Sequence, residues 1–560
     1  MLMNIEFNQI KSFYDGKAGL IAGLSQQVNL PSIIDKHLTK DIGRVPDIPY
    51  SSLAQMMLMN IADDHQPLSR LNEYFENTDL ESLLGHPVDL SKLNDDRFGG
   101  FLDAMHDAGL QQIYSEVAVS AFKRYGIKLS NINFDTTSKV MWGEYQTEEG
   151  KIGVIDVTFG YSKQKRFDKK QIKFSLGTTK GVVIDGQVLS GNLDDKTFNV
   201  NNLDRAKELK DKFLSEEEDF FYIADSAAFT KAFIQKATTL KIDVITRMTD
   251  NLVAVKSAFD KILDNLEDLE RVELPTSTTP SVYRLSEDTC DYHGIPLKMA
   301  ICYSEKLRPQ KSKTIEKRVI KEEKELNELI KDLSKRSFAC EADVELEITK
   351  KLSRRIEKIK YHTTSLSIVC KETKRRGRPS KDPNKNQTTL SYDLVLEIKR
   401  DEACISRLLD KECLFVLAST KLSMTAEEIL REYKTQSAVE RKFQFMKSPQ
   451  FINSLYLDSP KRIESLGYLL MLLMLLLSVS EFVVRREMKK DNKTIIGPGK
   501  KVMKQPSLIA IYRVFYSVVT SSVTINGQRH RGLHQPLKEN VKTILNYLGI
   551  PENIYYRGSI

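Results

Sequence analysis

The spacing of hydrophobic residues changes along the chain, and the first 125 residues have the pattern of amphipathic helices. Apolar positions recur every three to four residues in Ser51–Ala62 and again in Phe98–Gly109. Prolines separate these runs, and a run of Asn and Asp at 94–96 offers capping groups before the second one. We therefore expect an N-terminal all-helical domain over residues 1–125.

From residue 126 the pattern shifts to short apolar strands that alternate with helices. Ser130–Asp135 alternates apolar and polar residues and ends at Asp135, and the apolar run Phe220–Ala224 is followed directly by Asp225. The other predicted strands are Val154–Tyr161, Lys173–Leu176, Val182–Leu189 and Asp243–Arg247, and the predicted helices are Asn202–Leu214 and Ala228–Leu240. This order predicts an α/β sheet over residues 126–250, with carboxylates at strand ends.

Residues 251–410 interrupt this pattern, and we interpret them as an insertion. Strand-like pieces flank a long charged helical stretch, about Thr314 to Lys360, whose narrow apolar stripe packs either on the body of the protein or on a second copy. Strand character returns at Cys413–Ala418, and a helix is predicted from Thr425 to Lys447. Residues 411–490 then form the second part of the α/β domain, and residues 491–560 form a C-terminal tail region.

One segment resembles a membrane span in composition. Leu466–Leu477 is apolar nearly all round, but it is shorter than the roughly 20 residues that a span needs, and Glu481 follows soon after. We predict a helix buried on all sides and no association with a membrane.

The composition, with 41% hydrophobic and 29% charged residues among 560, is that of a globular protein with several domains. The formal net charge of +8 is concentrated: Glu305–Asp382 holds 23 Lys and Arg against 14 Asp and Glu. Such a stretch is either a nucleic-acid contact or a solvated charged helix.

The six cysteines form no C-x-x-C pair, which disfavours a structural zinc site and fits a reducing cytoplasm. The N-terminus has no apolar core typical of a signal peptide.

The two aspartates at strand ends are candidate metal ligands. Carboxylates at the ends of neighbouring strands converge, and their hard oxygens suit Mg²⁺ or Mn²⁺. Either Asp135 or Asp225 taken alone is equally explained as a turn or capping residue.

The predicted helix Thr425–Lys447 carries a third carboxylate. Tyr433, Gln436, Glu440 and Lys447 lie at intervals of 3, 4 and 7, which puts them on one helix face. If this face looks into a site, Glu440 completes a two-metal cluster while Tyr433 and Lys447 contact phosphates. The alternative is an ordinary amphipathic helix.

These motifs together resemble the DDE transposases of bacterial insertion sequences, within the wider insertion-sequence-four group. The closer resemblance is to the insertion-sequence-1634 family, and it extends over nearly the whole chain. It is carried by Leu93–Arg97 (LNDDR), Phe134–Ser138 (FDTTS), Gly160–Lys163 (GYSK), Ala224–Ala227 (ADSA), Thr246–Asn251 (TRMTDN) and Glu428–Tyr433 (EILREY), followed by Glu440 and Lys447. Gln436 stands where the wider group has Arg, so we treat it only as a neighbour of the site.

The resemblance implies an RNase H-like catalytic core with a large insertion before the last catalytic helix. It implies that Asp135, Asp225 and Glu440 hold two Mg²⁺ or Mn²⁺ ions per active site and that the protein cleaves DNA strands and transfers them. The implied partners are double-stranded DNA, both element ends and target, and a second copy of the chain on that DNA. The implied location is the bacterial cytoplasm, associated with the nucleoid.

Further DNA contacts are expected outside the catalytic residues. The N-terminal helical domain is the candidate for recognising element ends. Arg376 and Arg378 lie in an Arg-Gly-Arg-Pro sequence that either enters the minor groove of A·T-rich DNA or is a chance basic loop. Trp142, the single tryptophan, is expected to pack in the core rather than stack on a base. The basic cluster at 529–534 is expected at the surface.

Two other functions use the same features. A nuclease with an RNase H-like fold would share the three carboxylates without joining DNA strands. A catalytically silent DNA-binding protein derived from a transposase would have no reason to keep all three. The sequence leaves open the element's end sequence, the target preference, the order of strand cuts, the oligomeric state and whether this copy is active.

Overall fold

The computed structural model describes residues 10–38, 46–63, 65–145, 153–215, 218–275, 279–374, 388–447, 457–525 and 528–556. The chain forms two compact units. Unit 1 comprises Met1–Thr246, Ser419–Lys421 and Glu432–Ile560, and unit 2 comprises Arg247–Ala418 and Leu422–Arg431. Unit 2 thus corresponds closely to the segment that we interpret as an insertion, whereas the finer division into five segments stays a prediction.

The helices of the described residues are α1 (Gly16–Gln27), α2 (Leu30–Leu38), α3 (Tyr50–Ala62), α4 (Leu71–Phe75), α5 (Leu80–Leu84), α6 (Asp95–Ala108), α7 (Leu110–Tyr125), α8 (Asp195–Phe213), α9 (Lys231–Thr239), α10 (Val253–Leu263), α11 (Arg308–Leu333), α12 (Glu341–Glu347), α13 (Ser353–Ile356), α14 (Glu402–Glu412), α15 (Ala426–Lys434), α16 (Ser437–Met446), α17 (Pro460–Lys490), α18 (Leu508–Val514) and α19 (Glu539–Leu548).

The strands are β1 (Ile10–Phe13), β2 (Asn131–Val140), β3 (Gln171–Thr179), β4 (Val182–Ser190), β5 (Phe221–Ala224), β6 (Asp243–Arg247), β7 (Glu270–Leu274), β8 (Ser281–Tyr292), β9 (Ile295–Ser304), β10 (His362–Lys374), β11 (Thr388–Arg400), β12 (Leu414–Ser419), β13 (Ile495–Ile496), β14 (Val502–Met503), β15 (Thr520–Ile525) and β16 (Gln528–Leu533).

Unit 1 contains a mixed sheet with the strand order β4-β3-β2-β5-β6. The first three strands pair antiparallel, and β5 and β6 continue the sheet in parallel to β2. Every residue of β3 is buried, because α16 packs on β2 and β3 while α7 and α17 pack on β4. The prediction of a mixed α/β fold is confirmed. The predicted strand Val154–Tyr161 is wrong: it is an extended segment with a single bridge between Thr158 and Gln171.

The Leu-rich segment lies at the centre of α17, a helix of 31 residues that packs on α3, α6, α7, α19 and β4. Among the described residues it is the one helix long and apolar enough to cross a membrane, but 89% of its most apolar window is buried inside the protein. A Cβ on Gly467 would come 2.5 Å from Val188 Cγ2, so this glycine lets the helix approach β4 closely. Burial on all sides explains why the helix has no polar face.

The N-terminal region is largely helical, as predicted, but it also contains β1. This strand pairs antiparallel with β15, which pairs with β16. Its partner is about 500 residues away in sequence, so no local pattern indicates the pairing. The structure also corrects the position of Arg531 in β16, whose side chain is only 2% exposed. Its guanidinium lies 2.6 Å from Asp15 and 2.8 Å from Asp79, both fully enclosed.

Unit 2 is built from a sheet with the order β12-β9-β8-β7 and the long hairpin β10–β11. The predicted helix from 314 to 360 is interrupted. It ends at Leu333, and Phe338 then exchanges two backbone hydrogen bonds with Tyr392 of β11. The apolar stripe of α11 packs within unit 2: Val319 contacts the face of α14, and Leu333 joins Leu394 of β11 in a buried cluster.

Candidate active site

Strand β2 carries Asp135 in its interior. Sequence analysis put this residue at a strand end, and the structure corrects that, because β2 continues to Val140 in antiparallel pairing with β3. Side chains alternate along a strand, so the buried Phe134 faces one side of the sheet and the half-buried Asp135 faces the other. Phe134 stacks on Tyr222 of β5 with 5.0 Å between ring centroids. A packed strand, not a loop, therefore holds Asp135.

Asp225 follows directly after β5, as predicted. Asn133 of β2 pairs with Ile223 of β5 in the parallel register. Asp135 and Asp225 each lie two residues further along, so they are level with each other. The Oδ1 atom of Asp225 accepts a hydrogen bond of 3.0 Å from the N–H of Ala227, so Asp225 also caps a short turn. The structure thus brings the two aspartates side by side on neighbouring strands.

The surroundings of Asp135 disfavour its ionised form. Burial is the main cause that raises its pKa above the ordinary value, and the carboxylates of Asp225 and Asp195 raise it further. Lys163 Nζ, 3.5 Å from Asp135 Oδ1, and the N–H of Thr136, which donates a bond of 2.7 Å, lower the pKa. Burial therefore outweighs the stabilisation that Lys163 and the Thr136 N–H give to the ionised carboxylate.

Asp195 is a residue near the site that sequence analysis missed. It is the first residue of α8, after the capping residue Asp194. Its Oδ1 accepts a hydrogen bond of 2.8 Å from Thr136 Oγ1 and lies 3.3 Å from Lys173 Nζ. Two acids at a helix start are ordinary capping chemistry, so the sequence gives no sign that one of them lies beside Asp135.

The helix predicted from Thr425 to Lys447 is broken into α15 and α16 at Thr435 and Gln436. The bridging hydrogen bonds span three residues instead of four: the N–H of Gln436 donates to Tyr433 O, and the N–H of Val439 donates to Gln436 O, at 3.1 and 3.0 Å. Tyr433 is therefore on α15 and Glu440 on α16. The prediction of one continuous helical face for these residues is wrong.

Helix α16, which carries Glu440, packs on β2 and β3. Thr435 Oγ1 donates a bond of 3.0 Å to Asn133 Oδ1, which fixes the start of the segment against β2. The Glu440 side chain is exposed.

Two lysines lie near Asp135, and a third lies near one of them. Lys447, at the end of α16, is half-buried; burial and the charge of Lys163 lower its pKa, and Asp135 opposes this shift. Burial and the charge of Lys447 likewise lower the pKa of Lys139 on β2. Lys163 and Lys447 thus place positive charge beside the Asp135 carboxylate.

The carboxylates fit a divalent cation in part. Asp135 and Asp225 supply hard oxygen donors on neighbouring strands, and a cation would relieve the repulsion that raises the pKa of Asp135. In the described ranges, however, no three His, Cys, Asp or Glu side chains are grouped so as to hold a metal ion. Glu440 does not join the two aspartates in one ligand cluster, and its role as a ligand stays a prediction.

Two other expectations have different outcomes. Arg376 and Arg378 lie outside the described residues. Trp142 was expected in the core, and the structure corrects this: its side chain is 62% exposed, with the Arg166 guanidinium 5.1 Å from the ring centroid. Lys169 Nζ lies at the same distance from the ring, so two cationic side chains flank the exposed indole.

Comparisons with known proteins give few matches. A family model described as a domain of unknown function (DUF4277) matches residues 9–119, which is a minority of the chain. No curated protein matches the sequence. Among solved structures, the chain is similar to a piggyBac transposase in a synaptic complex with hairpin DNA, determined by cryo-EM. The identity is 11% and the TM-score 0.35, over 90% of this chain and 80% of that chain. A likeness at this level assigns no activity to the chain.

Proposed function

We propose that this protein is a DDE transposase of a bacterial insertion sequence, related to the insertion-sequence-1634 family of the insertion-sequence-four group. It binds the ends of its element and catalyses metal-dependent cleavage and transfer of DNA strands. The observation that carries the proposal is the register of the parallel strands β2 and β5, which brings Asp135 level with Asp225 directly after β5, with α16 packed on β2. Two neighbouring carboxylates with lysines beside one of them suit phosphoryl transfer on a polyanion.

The architecture of unit 1 supports an RNase H-like core. Three antiparallel strands are followed by two parallel ones, the first aspartate is on the central strand β2, and the second follows the adjacent strand β5. Unit 2 enters the sequence after β6 and ends before α16. This is the position at which the resemblance requires an insertion before the last catalytic helix.

In the proposed mechanism, Asp135, Asp225 and Glu440 would hold two Mg²⁺ or Mn²⁺ ions, which would supply an activated oxygen nucleophile and stabilise the charge on the leaving oxygen. Asp195 accepts a hydrogen bond from the Thr136 hydroxyl and another from the Lys173 ammonium, so it ties the start of α8 to β2 and β3. No side-chain nucleophile is required.

The lysines and Tyr433 hold the DNA backbone. Lys447 and Lys163 interact electrostatically with each other and with Asp135, so an approaching phosphate meets two ammonium groups. Gln436 precedes α16 and adds no charge, so it is a neighbour of the site only. Arg376 and Arg378 are proposed to contact DNA in the minor groove, and the N-terminal helical region to recognise element ends.

The partners and location follow from the same proposal. Two element ends have to be cut and joined together, so we propose a homodimer on DNA, in the bacterial cytoplasm and associated with the nucleoid. The described part of the α11 stripe is covered within unit 2, so it gives this dimer no interface.

The proposal is tested by cleavage of a linear duplex that carries the DNA flanking the gene, with Mg²⁺ or Mn²⁺ and with EDTA. We expect cuts at the element ends that EDTA abolishes. Asp135→Asn and Glu440→Gln should each lower the cleavage rate by more than about 100-fold, since losing even an indirect partner of a metal ligand costs about 10–100-fold. Asp211→Asn, on an exposed position of α8, is the matched control and should cut like wild type.

The outcomes separate the alternatives. Joining of the cut 3′ ends to a target supports a transposase, whereas cleavage without joining indicates a nuclease. Binding of the ends without cleavage under either metal would indicate a catalytically silent DNA-binding protein. If Glu440→Gln cuts as fast as wild type while Asp135→Asn does not, the third carboxylate has been assigned wrongly.

A further inference from the structure

Four exposed aromatic side chains lie close together in sequence after β2. The exposed fractions are 62% for Trp142, 55% for Phe159, 77% for Tyr161 and 59% for Phe167. Among the described residues, six aromatic side chains are at least 55% exposed, and these are four of them. A contiguous exposed apolar surface of this kind marks a binding site, because leaving it in water is unfavourable.

The four aromatic residues share their surface with cations. The guanidinium carbon of Arg166 and Nζ of Lys169 each lie 5.1 Å from the ring centroid of Trp142, and the rings of Tyr161 and Phe167 are 6.1 Å apart. Residues 153–170 contain five basic residues and two acidic ones. We call Trp142, Phe159, Tyr161, Phe167, Arg166 and Lys169 the aromatic–basic surface.

The backbone under this surface is firmly anchored. A Cβ on Gly160 would come 2.1 Å from Gly191 O, so the segment between Phe159 and Tyr161 lies directly against another backbone. The Gln171 amide donates to Gly191 O at 2.7 Å and to Tyr161 O at 3.2 Å. This anchoring holds the backbone that carries Phe159 and Tyr161 before any ligand binds. Less conformational entropy of the backbone is therefore lost on binding.

The aromatic–basic surface adjoins the candidate active site. Lys163, two residues beyond Tyr161, lies 3.5 Å from Asp135, and its backbone N–H donates to Ser138 Oγ of β2 at 3.2 Å. A DNA strand whose phosphate lies at Asp135 therefore has its neighbouring nucleotides within reach of this surface.

We propose that the aromatic–basic surface binds the unpaired bases of a single DNA strand beside the active site, an inference that rests on the proposed function. Aromatic rings stack on bases of any sequence, and Lys169 supplies a positive charge for the phosphates. Arg166 is held beside Trp142 by two hydrogen bonds to Asp168, at 2.8 and 2.7 Å. Paired bases hide their faces inside the duplex, so the surface selects a strand that has been opened or cut. The positive charge disfavours a second copy of the same surface as the occupant.

Trp142 makes the test direct, since it is the only tryptophan and its fluorescence reports on this surface alone. The full-length protein is titrated with oligothymidylate of roughly 12 nucleotides, within the usual range of site sizes. We expect saturable quenching by the single strand and little by a duplex of the same length. Tyr161→Ala should weaken binding about tenfold, the effect of losing one stacked base. Tyr516→Ala, exposed to 75% elsewhere in unit 1, is the matched control and should bind like wild type.

An oligomer of the same length with abasic sites separates stacking from charge. If it quenches Trp142 as strongly as oligothymidylate, the phosphates alone are bound and the proposal is overturned. It is also overturned if quenching follows protein concentration without DNA, which would indicate contact between copies. Metal-dependent cleavage is measured on the same preparations. Cleavage without quenching overturns this inference and leaves the proposed function standing, whereas quenching without any cleavage supports the surface and counts against the proposed function.

Discussion

Glu464 on α17 should make the stability of unit 1 depend on pH in a way that one substitution removes. Its side chain is 16% exposed and lies 3.4 Å from Nε2 of His106 on α6. Burial raises the pKa of Glu464 from 4.5 to about 7, although an N–H from Ile155 opposes the shift. Burial likewise lowers the pKa of His106 below its ordinary value.

The sign follows from the raised pKa. Below about pH 4.5 the carboxyl group is protonated in the folded and the unfolded chain, and burying it carries no ionisation cost. Between pH 4.5 and about 7 the unfolded chain ionises while the buried carboxyl group of the folded chain stays protonated, so stability falls over this range and levels off above it. At about 1.4 kcal/mol per pKa unit, the difference between 4.5 and about 7 corresponds to at most about 3.5 kcal/mol, of which about 3 kcal/mol develops between pH 4.5 and pH 8.

Glu464→Gln keeps the shape and removes the ionisation. Relative to wild type, its free energy of unfolding should increase by about 3 kcal/mol between pH 4.5 and pH 8. The measurement is urea denaturation followed by circular dichroism at several pH values. Glu208→Gln, on the exposed side of α8 at 59% exposure, is the control, and its difference from wild type should not vary with pH. If the Glu464→Gln difference is also constant with pH, Glu464 ionises normally and the burial argument is wrong.

Two further predictions concern packing. Arg531→Met leaves the enclosed carboxylate of Asp15 without its cation, whereas Asp79 keeps Arg529 at 2.9 Å. The substitution should lower the free energy of unfolding by about 3–5 kcal/mol in urea denaturation. Lys207→Met, which breaks an exposed pair on α8, should cost at most about 0.5 kcal/mol, and equal effects would refute the role of burial. Gly160→Ala forces a Cβ against Gly191 O and should cost about 1–3 kcal/mol and weaken oligothymidylate binding. Gly100→Ala in α6 meets no atom within 4 Å and should instead stabilise by about 0.5–1 kcal/mol, so a neutral Gly160→Ala would show that the segment is not clamped.

The pattern of apolar residues was sufficient to predict most elements of the central sheet. Short apolar runs flanked by polar residues mark β4, β5 and β6, because a strand buried on both faces has few alternatives. The same logic predicts that α17 is buried. Asp225 was recognisable because it directly follows such a run. These features depend on neighbours in sequence, which is why the sequence reveals them.

Only the tertiary structure fixes the length of β2 and its register against β5, which together bring Asp135 beside Asp225. Strand pairing is set by contacts between residues about 90 positions apart, and no local period encodes them. The sequence also does not show that Asp195 lies near Asp135. An acidic residue at the start of a helix is expected for capping alone, whatever the helix packs against.

The sequence determined which residues of this protein could carry chemistry; the tertiary structure decided which of them meet. Helical spacing put Tyr433 and Glu440 on one face, but a tighter turn at Gln436 divides the helix. Its hydrophobicity predicts Trp142 in the core, but Trp142 is exposed. Its charge predicts Arg531 at the surface, but Arg531 is buried. The physical reason is the same in each case. A side chain's surroundings are made by segments distant in sequence, and the free energy of burial depends on whether those segments supply a matching partner.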